Sequence, residues 1–506
     1  MIRKIKIYMI VAATALLASS CLEKFPEDAV LEKDAINTVT DADQAILGIY
    51  ATFKDASLYS GLLTLLPDIQ GDFVYAIDGY SNRYGEVWRW EIQPTNTNVR
   101  AVYGTLYKLI GRCNFLLEGV AKIENMVDDD GFARLQQYKG EAYFARALAY
   151  SELVKLFCKD YDAAKAASTP GVVLVSSYSN AGELKRASLE DSYQFILDDL
   201  ELAREYLDDE DSDGNVYYNQ PYFTKYTVES LYARIYLYMD NAKLAIEHAT
   251  NVIESGQFKL ASVNEYTLSG STSVNDYQYM WMMDESAEII WKVGFQGPNS
   301  FGGALGTAFL NYRAGRGYTP DYVPASWVLD SYSTYDKRET AFFQRITTSH
   351  THGLTWQLLI KYYGNYSFIN NYNLYHTNMP KVFRLSELYL IRAEAYAMEG
   401  NYTYAAKDIT SLRKARYTSY SSTSLDAGNW LNVISEERTK ELYMEGFRLN
   451  DLKRWKKGFT REAQANSVNP GDELKISASN PLFVWPIPQH ELDIPGADIA
   501  PNDSNN

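Results

Sequence analysis

The sequence predicts a mainly α-helical protein in which stacked helix pairs are interrupted by a loop-rich, aromatic-rich insertion with few short strands. Three observations carry that expectation. Apolar residues recur at helical spacing through much of residues 41–262 and again from residue 380 onward. A helical segment around residue 240 is echoed 160 positions later. Between residues 263 and 379 the helical period fades while glycine and aromatic side chains gather. Core size is not limiting in a chain of 506 residues, which has room for two to four domains at roughly 150 residues each, or for one large helical array.

The amino terminus is an address. Arg3, Lys4 and Lys6 precede an apolar run from Ile7 to Leu17, followed by Ala18, Ser19, Ser20 and Cys21, the pattern of a secretory signal. The run is shorter than the roughly 20 residues a spanning helix needs, and no other stretch reaches about 18 consecutive apolar residues. Small residues before a cysteine are similar to the lipobox of bacterial lipoproteins. Residues 1–20 are therefore expected to be cleaved and Cys21 to carry the lipid that anchors the protein to a membrane. Ala18 stands where Leu is commoner, and ordinary secretion with a free Cys21 is the alternative. Residues 21–40, with Pro26 and mixed charges, read as a tether. Cys113 and Cys158 leave either one disulfide or two buried thiols.

The first helical block, residues 41–262, contains Ala142, Ala145 and Ala149 at spacings of three and four, a small face that lets a neighbouring helix approach. Ser188 with Asp191 three residues on reads as a helix start, and Ile196, Leu200, Ala203 and Leu207 continue that helix's apolar stripe. Laying Ala233–Ile253 over Ala393–Arg413 puts Tyr236, Asn241 and Ala245 on Tyr396, Asn401 and Ala405. In both copies a helix ends in a short polar turn and another begins, which resembles tetratricopeptide helix pairs that stack to share a core. The insertion, residues 263–379, holds Gly297, Gly302, Gly303, Gly306, Gly315 and Gly317, with Trp281, Trp291, Trp327 and Trp356 and a short strand expected over Glu288–Val293. Helices resume at Phe383 and the second block runs over residues 380–506.

Composition narrows the function. Forty-eight basic residues against 64 acidic ones give a net charge of −16, which argues against nucleic acid as a partner. There is no His-Glu-x-x-His, Gly-x-Ser-x-Gly or Gly-Lys-Ser/Thr pattern, and His350 and His352 lack further ligands at metal spacing. Asp209, Asp211, Asp213, Gly214 and Asn215 follow the opening of a calcium-binding EF-hand loop, but Gln220 stands where the bidentate Glu belongs. Weak calcium binding or a plain acidic turn are the two readings of that run; no other cofactor is expected. The unusual quantity is 42 tyrosines, with 9 Trp and 20 Phe. Sugar rings present apolar C–H faces that stack on such side chains. Two clusters are candidate ligand sites: Tyr75, Tyr80, Tyr84, Trp88 and Trp90 with Arg83 among them, and Tyr277, Tyr279, Trp281, Tyr312, Tyr318 and Trp327. Each of these rings has burial in the core as its competing role.

The last blocks of the chain carry a resemblance. FRLSELYLIRAEAYAMEGNYTYAAKDITSLRKAR, then EERTKELYMEGFRLNDLKRW, then VWPIPQHEL, in that order, resemble the carboxy-terminal blocks of the SusD/RagB family of outer-membrane nutrient-binding lipoproteins. EAYFARALAYSELVKLF, LEDSYQFILDDLELA and CLEKFPED are similar to that family as well, whereas the tail Ala500-Pro501-Asn502-Asp503 departs from its usual Asn-Pro-Gly-Tyr-like end. The resemblance implies four tetratricopeptide-like pairs, a ligand face built from the irregular regions and no catalytic activity. It also implies delivery of a captured glycan to a SusC-like TonB-dependent transporter, with a peptide or other nutrient as the alternative ligand. A helix is expected over Glu436–Glu445, in which Glu437, Arg438, Glu441 and Glu445 put charges three and four apart, and a structural role is expected for Arg438, Glu441, Arg448 and Asp451. A secreted hydrolase with two facing carboxylates is the alternative from another class.

Overall fold

The computed structural model describes residues 35–178, 183–207, 216–269, 272–295, 302–348, 353–369, 374–468 and 473–506. Thr38 and Asp41 form a capping box, each side chain accepting the other's backbone N–H, and open α1 (Val39–Phe53). The chain continues through α2 (Leu62–Gln70), α3 (Thr97–Ile123), α4 (Asp129–Phe157), α5 (Leu189–Leu207), α6 (Lys225–Tyr238) and α7 (Ala242–Ile253). After α8 (Asp276–Met283) in the insertion come α9 (Leu385–Met398), α10 (Tyr402–Arg416), α11 (Trp430–Glu441) and α12 (Arg448–Arg454). Ala142, Ala145 and Ala149 are buried where α4 packs between α3 and α5. Ser188 accepts the Asp191 N–H at 2.9 Å and donates its hydroxyl to the Asp191 carboxylate at 2.7 Å, and the stripe from Ile196 to Leu207 is buried.

The internal echo is a structural repeat. α6 and α9 start and stop 160 positions apart, and α7 packs on α9 as well as on its own partner α6. Both helices end in a left-handed residue, Asp240 with φ 55° and Gly400 with φ 74°. The next N–H, of Asn241 or Asn401, donates to the carbonyl of Tyr236 or Tyr396 at 2.8 Å in both copies. That bond is a Schellman termination, which turns the chain back so that the next helix lies along the first.

Strands among the described residues form only two-stranded antiparallel ladders. Ile289–Lys292 pairs with Lys381–Arg384 and so closes the insertion at its base. Val74–Ala76 pairs with Tyr322–Pro324, putting Tyr75 opposite Val323. Through this ladder Tyr75, Ile77 and Trp88 share one core with Tyr277, Trp281, Phe309, Tyr322 and Phe342 of the insertion, while the long helices bury a separate core of their own.

The signature block differs from expectation in one respect: α11 stops at Glu441 rather than running to Glu445. Met444 and Gly446 have φ of 60° and 87°, and a Cβ on Gly446 would come within 3.0 Å of the Leu63 carbonyl oxygen, so the chain must break here to pass α2. The charges behave as structure. Arg438 pairs with Asp451 at 2.7 Å and Arg448 with Asp72 at 2.7 Å. Glu441 receives Arg384, Arg416 and Arg338, which also bind Glu288, Glu437, Glu445 and Asp336, all buried or nearly so. Burial alone would raise the Glu437 carboxyl, but Arg338 and Arg413 beside it bring it down to about 2. Cys113 and Cys158 are both free and buried. The tail is fastened, because the Asn502 amide donates to the carbonyls of Phe157 and Trp485 at 2.9 and 2.8 Å. No helix among the described residues is long and apolar enough to cross a membrane.

Candidate functional site

Five of the aromatic candidates serve the core instead of a ligand. Tyr75, Trp88 and Trp90 are buried, and their polar atoms donate to the carbonyls of Glu462, Val74 and Gln70 at 2.6, 3.1 and 2.6 Å. Tyr277 and Trp281 are buried beside the ion network: the Arg416 guanidinium lies 4.2 Å from the Tyr277 ring centre and the Lys361 ammonium 4.1 Å from that of Trp281. Desolvated cations next to a ring face are stabilised by its quadrupole, so these rings are the walls of the network. The physical reason for the correction is the Val74–Ala76 ladder, which draws Tyr75 and Trp88 under the insertion, while Trp90 packs on Phe459 and Phe483 in the helical core.

The other candidates keep an exposed edge but do not converge on one place. The Tyr80 hydroxyl donates to Asn82 at 2.8 Å and accepts from Arg89 at 2.7 Å, while Arg83 lies 3.4 Å from Asp321 and 5.9 Å from the Tyr84 ring centre. Tyr279 joins Tyr218, Asp276 and Glu285 around a cleft of about 280 Å³. Trp327 is 37% exposed, with its indole N–H donating to the Asp72 carbonyl at 2.9 Å and its ring against Phe73. Asp209, Asp211, Asp213 and Asn215, the candidate calcium ligands, and Cys21, the lipidation candidate, lie outside the described residues, as do His350 and His352. Among the described residues no group of three or more His, Cys, Asp or Glu side chains is placed to hold a metal.

One assembly of rings does gather at the surface of the insertion. Tyr312–Arg313 and Gly317–Tyr318 form a hairpin turned by Gly315 and Gly317, with φ of 77° and 75°. Tyr312 and Tyr318 face each other across it with ring centres 5.0 Å apart. The Tyr318 and Tyr363 hydroxyls are 3.1 Å apart, and Tyr363 continues to Tyr366, whose ring centre is 6.1 Å away. Tyr312 and Tyr366 are exposed, and Tyr318 and Tyr363 half-buried. Asn311 and Thr319 clamp the hairpin base, the amide donating to the Thr319 hydroxyl at 2.8 Å.

His376 locks this platform to the loop behind it. Its Nε2 accepts the Tyr312 N–H at 2.9 Å and its Nδ1 lies 3.0 Å from the Tyr363 carbonyl. A neutral imidazole with its proton on Nδ1 satisfies both contacts. Burial brings its pKa down to about 4, so the neutral form is held throughout the physiological range. Sequence reasoning named Tyr312 and Tyr318 but missed Tyr363, Tyr366 and His376. The signal that could have found them is the run Tyr362-Tyr363-Gly364-Asn365-Tyr366, a tyrosine-dense turn in the same insertion.

A second concavity of about 360 Å³ lies over the first cluster, lined by Tyr75, Trp88, Arg89, Glu91, Arg461 and Glu473. Arg461 is buried there with its guanidinium donating to the carbonyls of Ile69, Gln70, Gly71 and Trp88, and desolvation lowers it to about 10. These bonds fix the turn after α2.

The chain thus combines a helical-repeat scaffold that buries an ion network with a tyrosine platform on its insertion. Comparison with known proteins agrees. Residues 22–237 match a family model described as starch-binding associating with outer membrane, and residues 327–495 match the SusD family model. The SusD-like protein P2 of Formosa agariphila is 25% identical over 99% of both chains. The fold is shared with a SusD superfamily protein from Bacteroides thetaiotaomicron at a TM-score of 0.76, with 24% identity covering 92% of this chain and 100% of that one. It is shared also with a laminarin-binding SusD-like protein at a TM-score of 0.67, with 20% identity over 92% and 99% of the two chains. The chain belongs to the SusD/RagB family, whose members are carbohydrate-binding proteins associated with the outer membrane.

Proposed function

We propose that this protein is a non-catalytic, lipid-anchored receptor of the cell surface that captures glycan on the platform of Tyr312, Tyr318, Tyr363 and Tyr366 and passes it to a SusC-like TonB-dependent transporter. The observation that carries the reading is the platform itself: four tyrosines from two distant segments, two of them exposed, held in place by a buried neutral histidine. Fixed rings lose little freedom on binding, and preorganisation of this kind raises affinity without added contacts. Stacking supplies attraction to the C–H faces of a sugar, and the tyrosine hydroxyls at the ring edges are donors and acceptors for its hydroxyl groups. Cys21 supplies the anchor and the helical side the surface for the transporter. Calorimetric titration of the chain lacking residues 1–21 against a glycan panel tests the assignment. Saturable heat that the double variant Tyr312→Ala/Tyr366→Ala abolishes supports it; equal binding by the variant moves the site elsewhere.

A further inference from the structure

The platform has an unusual charge setting. Acidic residues make up 64 of 506 positions, yet residues 289–320 and 340–386 contain no Asp or Glu at all. Those two runs supply all four tyrosines and His376. At the hairpin tip, between Tyr312 and Tyr318, Arg313 and Arg316 are both exposed, and neither guanidinium pairs with a carboxylate among the described residues. The arginines of the ion networks, buried or nearly so, differ: Arg146, Arg234, Arg338, Arg384, Arg392, Arg416, Arg438, Arg448 and Arg454 each hold at least one Asp or Glu.

A protein with a net charge of −16 repels a polyanion at long range, so a polyanion can land only on a locally positive face. The acid-free hairpin is such a face. A guanidinium presents a planar fork that matches a carboxylate or a sulfate group through paired N–H bonds, and these charge-assisted bonds are stronger than neutral ones. We infer that the ligand of the platform is an anionic glycan, whose carboxylate or sulfate groups are held by Arg313 and Arg316 while the tyrosine rings take its apolar faces. The inference rests on the platform being the capture site.

The test is calorimetric titration of the chain lacking residues 1–21 with matched polymers. Polygalacturonate is set against its methyl-esterified form, carrageenan against unsulfated agarose, and laminarin serves as the neutral comparison. The expected result is binding to one charged member and loss of that binding in its uncharged counterpart; which pair responds tells carboxylate from sulfate. Arg313→Gln/Arg316→Gln should weaken that binding about tenfold or more at unchanged thermal stability, since a hydrogen bond to a charged group is worth about 1.5–3 kcal/mol. Added NaCl at about 0.5 M, where charges are screened within about 4 Å, should weaken it likewise. Three outcomes overturn the inference. Binding of a neutral glycan that Tyr312→Ala/Tyr366→Ala destroys and Arg313→Gln/Arg316→Gln leaves intact removes the anionic class but keeps the platform as the capture site. Silence on every charged polymer also removes the anionic class. Binding untouched by either double variant removes the platform too.

Discussion

The charge network around Glu441 and the tyrosine platform on the insertion use similar side chains for opposite ends. Around Glu441 every arginine is sealed from water and fully partnered: Arg338, Arg384 and Arg416 meet Glu288, Glu437 and Glu441 at 2.7 to 3.1 Å, with Tyr277 and Trp281 as aromatic walls. On the platform two of the four rings are exposed, the arginines pair with no carboxylate among the described residues and the buried His376 is held neutral. The difference teaches where a motif comes from. A buried charge that loses its partner pays the full desolvation penalty, so each residue of the network fixes the identity of its neighbours and a recognisable block results. Exposed rings and free guanidinia impose no such demand on the rest of the chain.

The largest expected effect comes from breaking the sealed side. Glu441→Ala leaves three buried guanidinia short of an acceptor and should cost about 3–5 kcal/mol in urea unfolding, with glycan affinity per folded molecule unchanged. Trp281→Ala should come next, at about 3–5 kcal/mol or slightly less, since it opens a cavity beneath two lysines. Tyr312→Ala/Tyr366→Ala should do the reverse, shifting stability by no more than about 1 kcal/mol while weakening glycan binding about tenfold or more. A Trp281→Ala protein of normal stability that no longer binds glycan would invert the comparison and restore Trp281 as a site residue.

How far the sequence reaches follows from the same contrast. Helix periods, the Ser188 cap and the 160-residue echo are local patterns, and the structure contains each of them. The signature charges were read as structural from the three- and four-residue spacing that lets them pair, and the structure buries them in ion pairs. The end of α11 was misplaced, since what stops it is the approach of α2 to Gly446, a contact between segments remote in sequence. The aromatic candidates divided for a like reason. A tryptophan that anchors a core and one that stacks on a sugar have the same composition around them. Only contacts between remote segments decide that Trp88 and Trp90 go inside: the pairing of Val74–Ala76 with Tyr322–Pro324 for Trp88, and packing on Phe459 and Phe483 for Trp90. Tyr363 and Tyr366 escaped notice because their partners lie across a loop joined by His376, and no period in the sequence encodes that bond.

The effect most specific to the platform is its acid response. The folded His376 takes a proton only near pH 4, whereas an unfolded histidine does so near 6.5. Between those values the unfolded chain binds more protons, so stability must fall as the pH drops from about 6.5 to about 4, by at most ~1.4 kcal/mol per pH unit from this group. Above pH 6.5 both states are neutral and the group contributes no pH dependence. Carboxylates titrate in the same window, which is why the measurement is a difference: His376→Gln, which has no proton to gain, should show a shallower fall of melting temperature between pH 6.5 and 4.5 than the parent. Protonation also costs Nε2 its lone pair and so breaks the bond to the Tyr312 N–H. Glycan affinity of the parent should therefore drop toward pH 4 before the protein unfolds. If parent and variant lose stability and affinity in parallel, His376 is a packing residue and the hairpin is held by Asn311 and Thr319 alone.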